Sequence, residues 1–174
     1  MSRLESIERK IMTLEALSSL REGWRIKGLK TVFTNGVFDI VHRGHVTLLA
    51  RAADFGDRLI VAVNADASVR ALGKGGNRPV NAQADRAAVI AAMGPVDAVV
   101  IFDAHTPYEL IKALEPDVLV KGGDYDPEQR DTRAKNYLVG SDLQRQRGKE
   151  TVVISIVEGY STTSIIEKST RGKN

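Results

Sequence analysis

The sequence predicts an α/β fold, in which a five-stranded, mostly parallel sheet carries helices on both faces. Three observations support this prediction. Five short apolar runs alternate with segments whose apolar residues recur at helical spacing. The best-defined runs are apolar through their centres, as expected of strands covered on both faces. Polar or glycine-rich segments follow these runs, and ligands bind at that end of a parallel sheet. Together these features indicate a single Rossmann-like domain.

Size and composition agree with one globular domain. The chain has 174 residues, of which 43% are apolar and 27% charged. A formal charge of +3 suits an anionic ligand but is too small to indicate nucleic acid. The absence of cysteine excludes disulfides and thiolate metal sites. No apolar run approaches the roughly 18 residues of a membrane span, and the N-terminus lacks an apolar signal core, so we expect a cytoplasmic protein with no membrane partner.

Residues 1–29 are predicted to be a helical extension that precedes a domain of residues 30–170. Leu14, Leu17 and Leu20 recur every three residues, and Gly23 and Gly28 bracket the expected exit from this helix. The helix could cover the sheet or join two protomers, so the sequence leaves a homo-oligomer open.

The remaining elements follow in alternation from residue 30. A short apolar run predicts a strand at 30–34, helical periodicity predicts a helix at 42–55, and Gly56-Asp57 forms a turn before a strand at 58–64. A helix at 65–72 and a polar loop at 73–79 come next. Further strands are expected at 97–102, 117–121 and 152–157, and further helices at 81–93, 107–114 and 161–168.

Two further segments carry weaker patterns in the sequence. The helix at 81–93 is expected to pack through its alanines, Ala84, Ala87, Ala88 and Ala91. Residues 124–146 have little periodicity and many charges and glutamines, which predicts a long loop or a short surface helix.

The segment from Thr34 to His45 carries the strongest functional signal. It joins a predicted strand to a predicted helix, and His42 and His45 lie three residues apart where that helix begins. Because successive helical residues turn through about 100°, the two imidazoles point roughly the same way. Together with Gly44 and the free N–H groups of a helix start, they form a good site for a polyphosphate. No third histidine or cysteine cluster accompanies the pair and their spacing is not the usual zinc spacing, so we predict no protein-bound metal.

Neighbouring residues of this segment suggest individual roles. Gly36 lets the backbone approach a phosphate without an intervening side chain. The imidazoles can donate hydrogen bonds to phosphate oxygens on which charge builds during displacement at phosphorus. Asp39 could brace the turn or could contact the ligand or a metal directly.

Three other segments are candidates for the same site. The glycine-rich run of Lys121, Gly122, Gly123 and Asp124 could be an ordinary turn or could admit a base or ribose. Ser161, Thr162 and Thr163 follow a glycine, and one of them could simply cap a helix, but three together offer several hydroxyls to phosphates. Lys74 and Arg78 of the polar loop, and Arg86 beyond it, could be solvated charges or could close over phosphates.

The motif after the first strand resembles that of a known superfamily. The pattern G-x-F-D-x-x-H-x-G-H, matched by Gly36, Phe38, Asp39, His42, Gly44 and His45, resembles the signature of the cytidylyltransferase-like nucleotidyltransferases. Longer strings, at residues 56–69, 78–81, 106–107, 116–125 and 161–163, resemble the heptose 1-phosphate adenylyltransferase family. That family acts in ADP-heptose synthesis for bacterial lipopolysaccharide, alone or as the second domain of a bifunctional kinase–adenylyltransferase. The likeness covers roughly residues 30–168.

This resemblance implies a reaction and a set of site residues. ATP and D-glycero-β-D-manno-heptose 1-phosphate would give ADP-heptose and pyrophosphate, with Mg²⁺ on the triphosphate. The implied catalytic residues are His42, His45 and Lys74. The implied nucleotide-binding residues are Thr34, Asn35, Gly36, Phe38, Asp39, Gly44, Arg78, Lys121, Gly122, Gly123, Asp124, Ser161, Thr162 and Thr163. Asn64, Asp66 and Arg86 are assigned to the acceptor substrate.

Some alternatives and departures accompany the resemblance. Another enzyme of the superfamily would use CTP with glycerol 3-phosphate or phosphocholine, or ATP with FMN, and a nucleotide-binding regulator without catalysis is a further alternative. Tyr160 stands where many relatives carry Arg, and residues 126–136 are longer and more charged than the family pattern. The chain begins at a methionine with no kinase-like half, so we expect the stand-alone form.

Overall fold

The strands and helices alternate along the chain as the sequence predicts. The computed structural model describes residues 2–73, 78–155, 157, 159–162 and 165. Its strands are β1 Thr31–Gly36, β2 Arg58–Asn64, β3 Ala98–Phe102, β4 Val118–Gly122 and β5 Glu150–Ile154. Its helices are α1 Arg3–Glu8, α2 Leu14–Ile26, α3 Arg43–Ala53, α4 Asp66–Ala71, α5 Gln83–Ala91, α6 Tyr108–Leu114 and α7 Ser141–Gln146.

The five strands form one sheet in the order β3-β2-β1-β4-β5, and every neighbouring pair is parallel. The prediction of a five-stranded α/β fold is therefore confirmed, and the sheet is parallel throughout rather than mostly so. The chain moves from β1 outward to β3 and then returns to place β4 on the other side of β1. That reversal opens a crevice beyond the carboxyl ends of β1 and β4, where ligands bind in such sheets.

Two apolar layers hold the helices on the sheet. On one face, Leu49 of α3 and Ile90 of α5 pack with Val61 and its neighbours. On the other face, Leu17 of α2 and Ile111 of α6 pack with strand residues including Phe33 and Ile60. The strands are buried on both sides, which explains why their sequences are apolar through the centre instead of alternating.

The first thirty residues contact both faces of the sheet. A capping box between Ser2 and Glu5 starts α1. Ile7 packs on the layer that contains α3, whereas Leu17 of α2 is buried in the opposite layer. The chain crosses between them at the sheet edge, where Ile11 forms a parallel bridge with Val99. Of the two alternatives for the N-terminal helix, the structure shows that it covers the sheet.

The exit from the N-terminal helix was predicted correctly, whereas the packing face of α5 was predicted only in part. Helix α2 ends at Ile26, between Gly23 and Gly28, and Gly28 has φ 71°. Ala84 and Ala88 are exposed, and α5 packs instead through Arg86, Ala87, Ile90 and Ala91. Alanine is tolerated on either face of a helix, so its spacing does not identify the buried one.

The carboxyl-terminal part of the chain also differs from expectation. Helix α7 lies within the segment predicted as a loop or surface helix, and its residues Ser141, Leu143 and Gln144 are buried. Strand β5 begins two residues earlier than expected and ends at Ile154. The helix expected at 161–168 lies mostly outside the described residues. No described helix is long and apolar enough to cross a membrane.

Candidate functional site

A cavity of about 540 Å³ lies beyond the carboxyl ends of β1, β4 and β5, at the start of α3. This volume is in the range of small-molecule sites, and the position matches the crevice expected from the strand order. Many of the predicted catalytic and nucleotide-binding residues line it. They are Asn35, Gly36, Phe38, Asp39, His42, Gly44, His45, Arg78, Lys121, Gly122, Ser161 and Thr162.

His42 is the N-cap residue of α3. Its Nδ1 accepts a hydrogen bond from the Gly44 backbone N–H at 3.1 Å. A Cβ atom at Gly44 would lie 3.0 Å from two atoms of the His42 ring, so this contact depends on glycine. Because Nδ1 acts as an acceptor, a neutral His42 carries its proton on Nε2. The capping bond thereby selects Nε2–H as the group available to a ligand.

His45 stacks on His42 in the cavity wall. The ring centroids are 3.9 Å apart with an interplanar angle of 23°, and the Phe38 ring meets His45 edge-on at 5.2 Å. Burial lowers the pKa of His45 to about 4, and the neighbouring His42 adds to this effect. Burial also lowers the pKa of His42. Both imidazoles are therefore neutral at pH 7, and each can offer a ring N–H to a ligand but no fixed charge.

A tight turn connects β1 to these histidines. Phe38 is buried and has φ 51°, which is unusual for a residue with a side chain. Its ring covers Gly36 so closely that a Cβ atom at Gly36 would lie 3.0 Å from two ring atoms. The glycine and the aromatic ring thus fit together, and the turn leads the chain from the strand into α3.

Asp39 links this turn to the segment before α5. Its Oδ1 accepts hydrogen bonds from the backbone N–H groups of Val80 (2.7 Å) and Asn81 (3.1 Å). The Asn81 side-chain amide donates in return to the Asp39 backbone oxygen. These contacts support the bracing role among the two alternatives for Asp39. The Oδ2 atom is buried and has no partner within the described part of the chain, so one oxygen remains for another ligand.

Positive charge reaches the cavity from the end of β4 and from the loop before α5. The Lys121 Nζ donates to the Asn35 side-chain oxygen at 2.8 Å and to the Asn35 backbone oxygen at 3.0 Å. These contacts hold the ammonium group across the gap between β1 and β4. Arg78 lines the cavity from the loop before α5. Because the histidines are neutral, Lys121 and Arg78 are the positively charged side chains among the described residues that line the cavity.

Hydroxyl groups line the wall that follows β5. Ser161 and Thr162 border the cavity, and the Tyr160 ring lies 6.4 Å from the His42 ring. Thr163 and Lys74, both predicted site residues, lie outside the described residues.

Three predicted nucleotide-binding residues do not line the cavity. Thr34 is fully buried within β1. The Gly123 N–H donates to the Ile154 backbone oxygen at 3.1 Å, and Asp124 is exposed to solvent. The cavity does not place these three residues at the ligand, and their nucleotide-binding role stays a prediction.

Arg86 is a further correction, because it is buried rather than facing a substrate. Its guanidinium donates to the backbone oxygens of Asn81 (2.9 Å) and Val37 (2.6 Å) and to the Asp66 carboxylate (2.6 Å). Its side chain is 0% exposed, and that of Asp66 is 25% exposed. Arg86 and Asp66 therefore brace the turn after β1 from behind instead of contacting the acceptor.

A second cavity of about 320 Å³ adjoins the first one. Asn64, predicted to contact the acceptor, lines it, and so does Tyr125. Sequence reasoning missed His105 and Thr106, which also line it. They follow β3, so the rule that ligands bind beyond the carboxyl ends of strands could have identified them. Ser155 of the first cavity, directly after β5, was missed in the same way.

Comparison with known proteins agrees with this geometry. Residues 33–168 match the family model described as cytidylyltransferase-like. The chain is 50% identical to the bifunctional protein HldE of Wolinella succinogenes over 164 residues, which are 94% of this chain and 32% of that protein. It is 49% identical to the bifunctional protein HldE of Koribacter versatilis over 159 residues, which are 91% and 31% of the two chains. The chain thus spans about a third of the length of these relatives.

A solved structure is also similar. The crystal structure of the lipopolysaccharide core biosynthesis protein from Thermoplasma volcanium GSS1 matches with a TM-score of 0.56 and 26% sequence identity. The match covers 77% of this chain and 100% of that chain.

Proposed function

Because this chain belongs to the cytidylyltransferase-like family and is a nucleotidyltransferase, we propose that it transfers AMP from ATP to D-glycero-β-D-manno-heptose 1-phosphate. The products are ADP-heptose and pyrophosphate, and ADP-heptose serves as a precursor of the lipopolysaccharide core. The choice of acceptor rests on the sequence resemblance described above. It is supported by the similar solved structure, which is that of a lipopolysaccharide core biosynthesis protein.

One observation carries the choice of reaction. Two neutral, stacked imidazoles stand at the start of α3 in a cavity that also contains Lys121 and Arg78. Nucleotidyl transfer requires placement and hydrogen-bond donors at the α-phosphate, and it needs no covalent nucleophile from the protein. The stacked imidazoles can donate such hydrogen bonds, and Lys121 and Arg78 add positive charge beside them, which supports this reaction.

The reaction is a direct displacement at the α-phosphorus of ATP. An oxygen of the acceptor phosphate forms the new bond to this phosphorus, and the bond from the phosphorus to the oxygen bridging to the β-phosphate breaks. Pyrophosphate leaves with the bonding electrons. The Nε2–H of His42, selected by the Gly44 contact, donates to a non-bridging oxygen of the α-phosphate, and His45 donates beside it.

The other parts of the cavity hold the remainder of the nucleotide. We assign the outer phosphates to Ser161, Thr162 and Arg78, and this assignment is supported by their position in the lining of the cavity. Gly122 lines the wall without a side chain, where a Cβ atom would lie 3.1 Å from Leu48, and we assign the adenosine to this side. The catalytic role of Lys74 and the nucleotide-binding role of Thr163 remain predictions.

Magnesium ion accompanies ATP in this proposal. Mg²⁺ is usually held by one or two carboxylates together with substrate phosphates. Asp39 fits that requirement, because its carboxylate lies on the cavity wall and its buried Oδ2 has no partner among the described residues. The ion would neutralise charge on the triphosphate, while Asp39 also continues to brace the turn through Oδ1.

A pyrophosphate-release assay tests the proposal. ATP with heptose 1-phosphate should be turned over faster than CTP with glycerol 3-phosphate or phosphocholine, and faster than ATP with FMN. Preference for one of the other pairs would replace the proposed substrates within the same family. Tight ATP binding without turnover on any acceptor would instead support a regulator that has lost catalysis.

The cellular setting is a further part of the proposal. We expect the enzyme in the cytoplasm, where nucleoside triphosphates are available. A homo-oligomer stays open as a prediction, and sedimentation or size-exclusion measurements decide it.

A further inference from the structure

The two cavities share a wall. Asn35, Gly36 and Val37 at the end of β1, together with Lys121 at the end of β4, line both of them. The Lys121 ammonium is held on this wall by the two Asn35 oxygens. A phosphate bound against the wall from the second cavity would therefore lie next to the cavity assigned to ATP.

The second cavity has the chemistry of a site for a small, anionic, hydroxyl-rich ligand. None of the described residues that line it carries a carboxylate, and Lys121 contributes positive charge. Asn64, His105 and Thr106 supply polar groups, and the Asn64 amide is oriented by its hydrogen bond to the Ser68 hydroxyl at 2.8 Å. Leu119 adds an apolar surface, as required for the C–H face of a sugar ring. The volume of about 320 Å³ lies at the lower end of the range for ligand sites.

The outer wall of this cavity comes from the segment between β4 and α7. Tyr125, Leu138 and Val139 of that segment line the cavity. Its two ends are joined where the Asp126 N–H donates to the Asn136 backbone oxygen at 2.9 Å. The charged residues 126–136 thus form a closed loop, and the residues on either side of it face the cavity.

The Asp142 carboxylate bonds to residues on both sides of this cavity. Asp142, in the first turn of α7, accepts a hydrogen bond from the Tyr108 hydroxyl at 3.1 Å and from the Tyr137 hydroxyl at 3.0 Å. Tyr108 is the first residue of α6 and follows His105 and Thr106 after Pro107, and Tyr137 directly precedes Leu138. The carboxylate therefore connects the two sides of the cavity mouth. Burial, and the bond to Asp142, raise the pKa of both tyrosines, so both stay protonated as donors.

We propose that the second cavity binds the sugar of the acceptor, that His105 and Thr106 on its rim determine acceptor specificity, and that Asp142 is the positioning residue for its outer wall. This inference deepens the proposed function and rests on it. The acceptor phosphate lies at the Lys121 wall, facing the α-phosphate, and the sugar extends toward β3 and α6.

Steady-state kinetics of rim variants test the specificity residues. His105→Ala and Thr106→Val should each raise the KM for D-glycero-β-D-manno-heptose 1-phosphate by about 3- to 10-fold, the effect of losing one hydrogen bond. The KM for ATP should stay within twofold of the wild-type value, because neither residue lines the first cavity. Asp103→Ala is the matched control, since Asp103 is an exposed neighbour that lines neither cavity. An unchanged acceptor KM in both rim variants would overturn the assignment.

A second series tests the positioning role of Asp142. Asp142→Asn keeps one acceptor oxygen and Asp142→Ala keeps none, so the acceptor KM should rise from wild type through Asn to Ala. The kcat at saturating acceptor and the KM for ATP should change little. A merely structural role would lower the Tm and affect both substrates alike, and that pattern would refute the positioning role.

Failure of this inference can be distinguished from failure of the proposed function. If the wild type uses heptose 1-phosphate but every variant behaves like the Asp103→Ala control, the subsite is wrong and the function stands. If another sugar 1-phosphate is the true acceptor and His105→Ala raises its KM, the subsite stands and only the named acceptor is wrong. If no acceptor is turned over, the binding of heptose 1-phosphate is measured by calorimetry. Weaker binding to the His105→Ala variant than to the wild type supports the subsite. Binding that is absent from the wild type, or unchanged in the variant, overturns it.

Discussion

Replacing Arg86 by methionine should destabilise the protein and loosen the turn that precedes the histidines. The arginine side chain is 0% exposed, and its guanidinium makes three hydrogen bonds, to Val37, Asn81 and Asp66. Methionine fills much of the same volume, so the main effect is the loss of these bonds rather than a cavity.

The magnitude follows from the groups that are left behind. The backbone oxygens of Val37 and Asn81 lose a donor, and an unsatisfied buried polar group costs about 1–3 kcal/mol. The Asp66 carboxylate is 25% exposed and can bind water in place of the guanidinium, so it contributes less to the loss of stability. We expect the free energy of unfolding to fall by about 2–5 kcal/mol, which agrees with the roughly 3–5 kcal/mol measured when one partner of a buried ion pair is removed.

Urea denaturation followed by tryptophan fluorescence measures this change. Trp24 is the single tryptophan and is 8% exposed in the layer opposite α5, so it reports global unfolding instead of a local change near Arg86. Arg25→Met is the matched control, because Arg25 also bonds a carboxylate, that of Glu22, but is 60% exposed. Its effect should lie within the error of the measurement.

The same variant tests the link between bracing and ligand binding. Because Val37 and Asp39 line the first cavity, Arg86→Met should also weaken ATP binding, whereas Arg86→Lys should have an intermediate effect on stability. A loss of stability below about 1 kcal/mol would refute the reasoning, since it would mean that water or other donors satisfy the two backbone oxygens.

Three further predictions concern the histidine pair. His45→Ala should lower kcat by about 10²–10³-fold, the effect of removing one transition-state donor, while the dissociation constant for ATP changes little; equal losses in both would argue against this role. In NMR titrations of the free protein, the His45 imidazole should have a pKa of about 4, and a value at or above the usual 6.5 would contradict its burial. Since the folded state then binds fewer protons than the unfolded one between pH 6.5 and 4, stability should fall as the pH falls through this window. Gly44→Ala should lower kcat while the Tm changes little, because a Cβ atom 3.0 Å from the His42 ring displaces that ring. An unchanged kcat would show that the ring can move without loss of activity.

The strands were predictable because their signal is local and strong. A run that is buried on both faces is apolar throughout, and β2 was predicted with the bounds that the structure shows. The packing face of α5 was predicted only in part, since Ala87 and Ala91 are buried but Ala84 and Ala88 are exposed, because alanine fits both a buried and an exposed position. Nothing in the local sequence indicates that Arg86 on that helix is buried, since its partners Val37 and Asp66 come from other segments.

The candidate site likewise contains residues that the local sequence identifies and residues that it does not. The histidine motif was found in the sequence because its geometry is contained in one helix start, where His42, Gly44 and His45 are within hydrogen-bond or ring contact of each other. His105 was missed because the short matching string beside it, at residues 106–107, indicates no chemical role, and His105 reaches the second cavity only through the order of the strands.

The amino-acid sequence alone was enough to predict the succession of strands and helices, the phosphate-binding motif and the family. These features depend on hydrogen bonds and side-chain periods that span only a few residues. Tertiary packing was needed to show that Arg86 braces the turn, that Lys121 is held across two strands, and that two cavities share one wall. Each of these depends on residues distant in sequence, and their approach is set by the packing of both sheet faces, which no local pattern specifies.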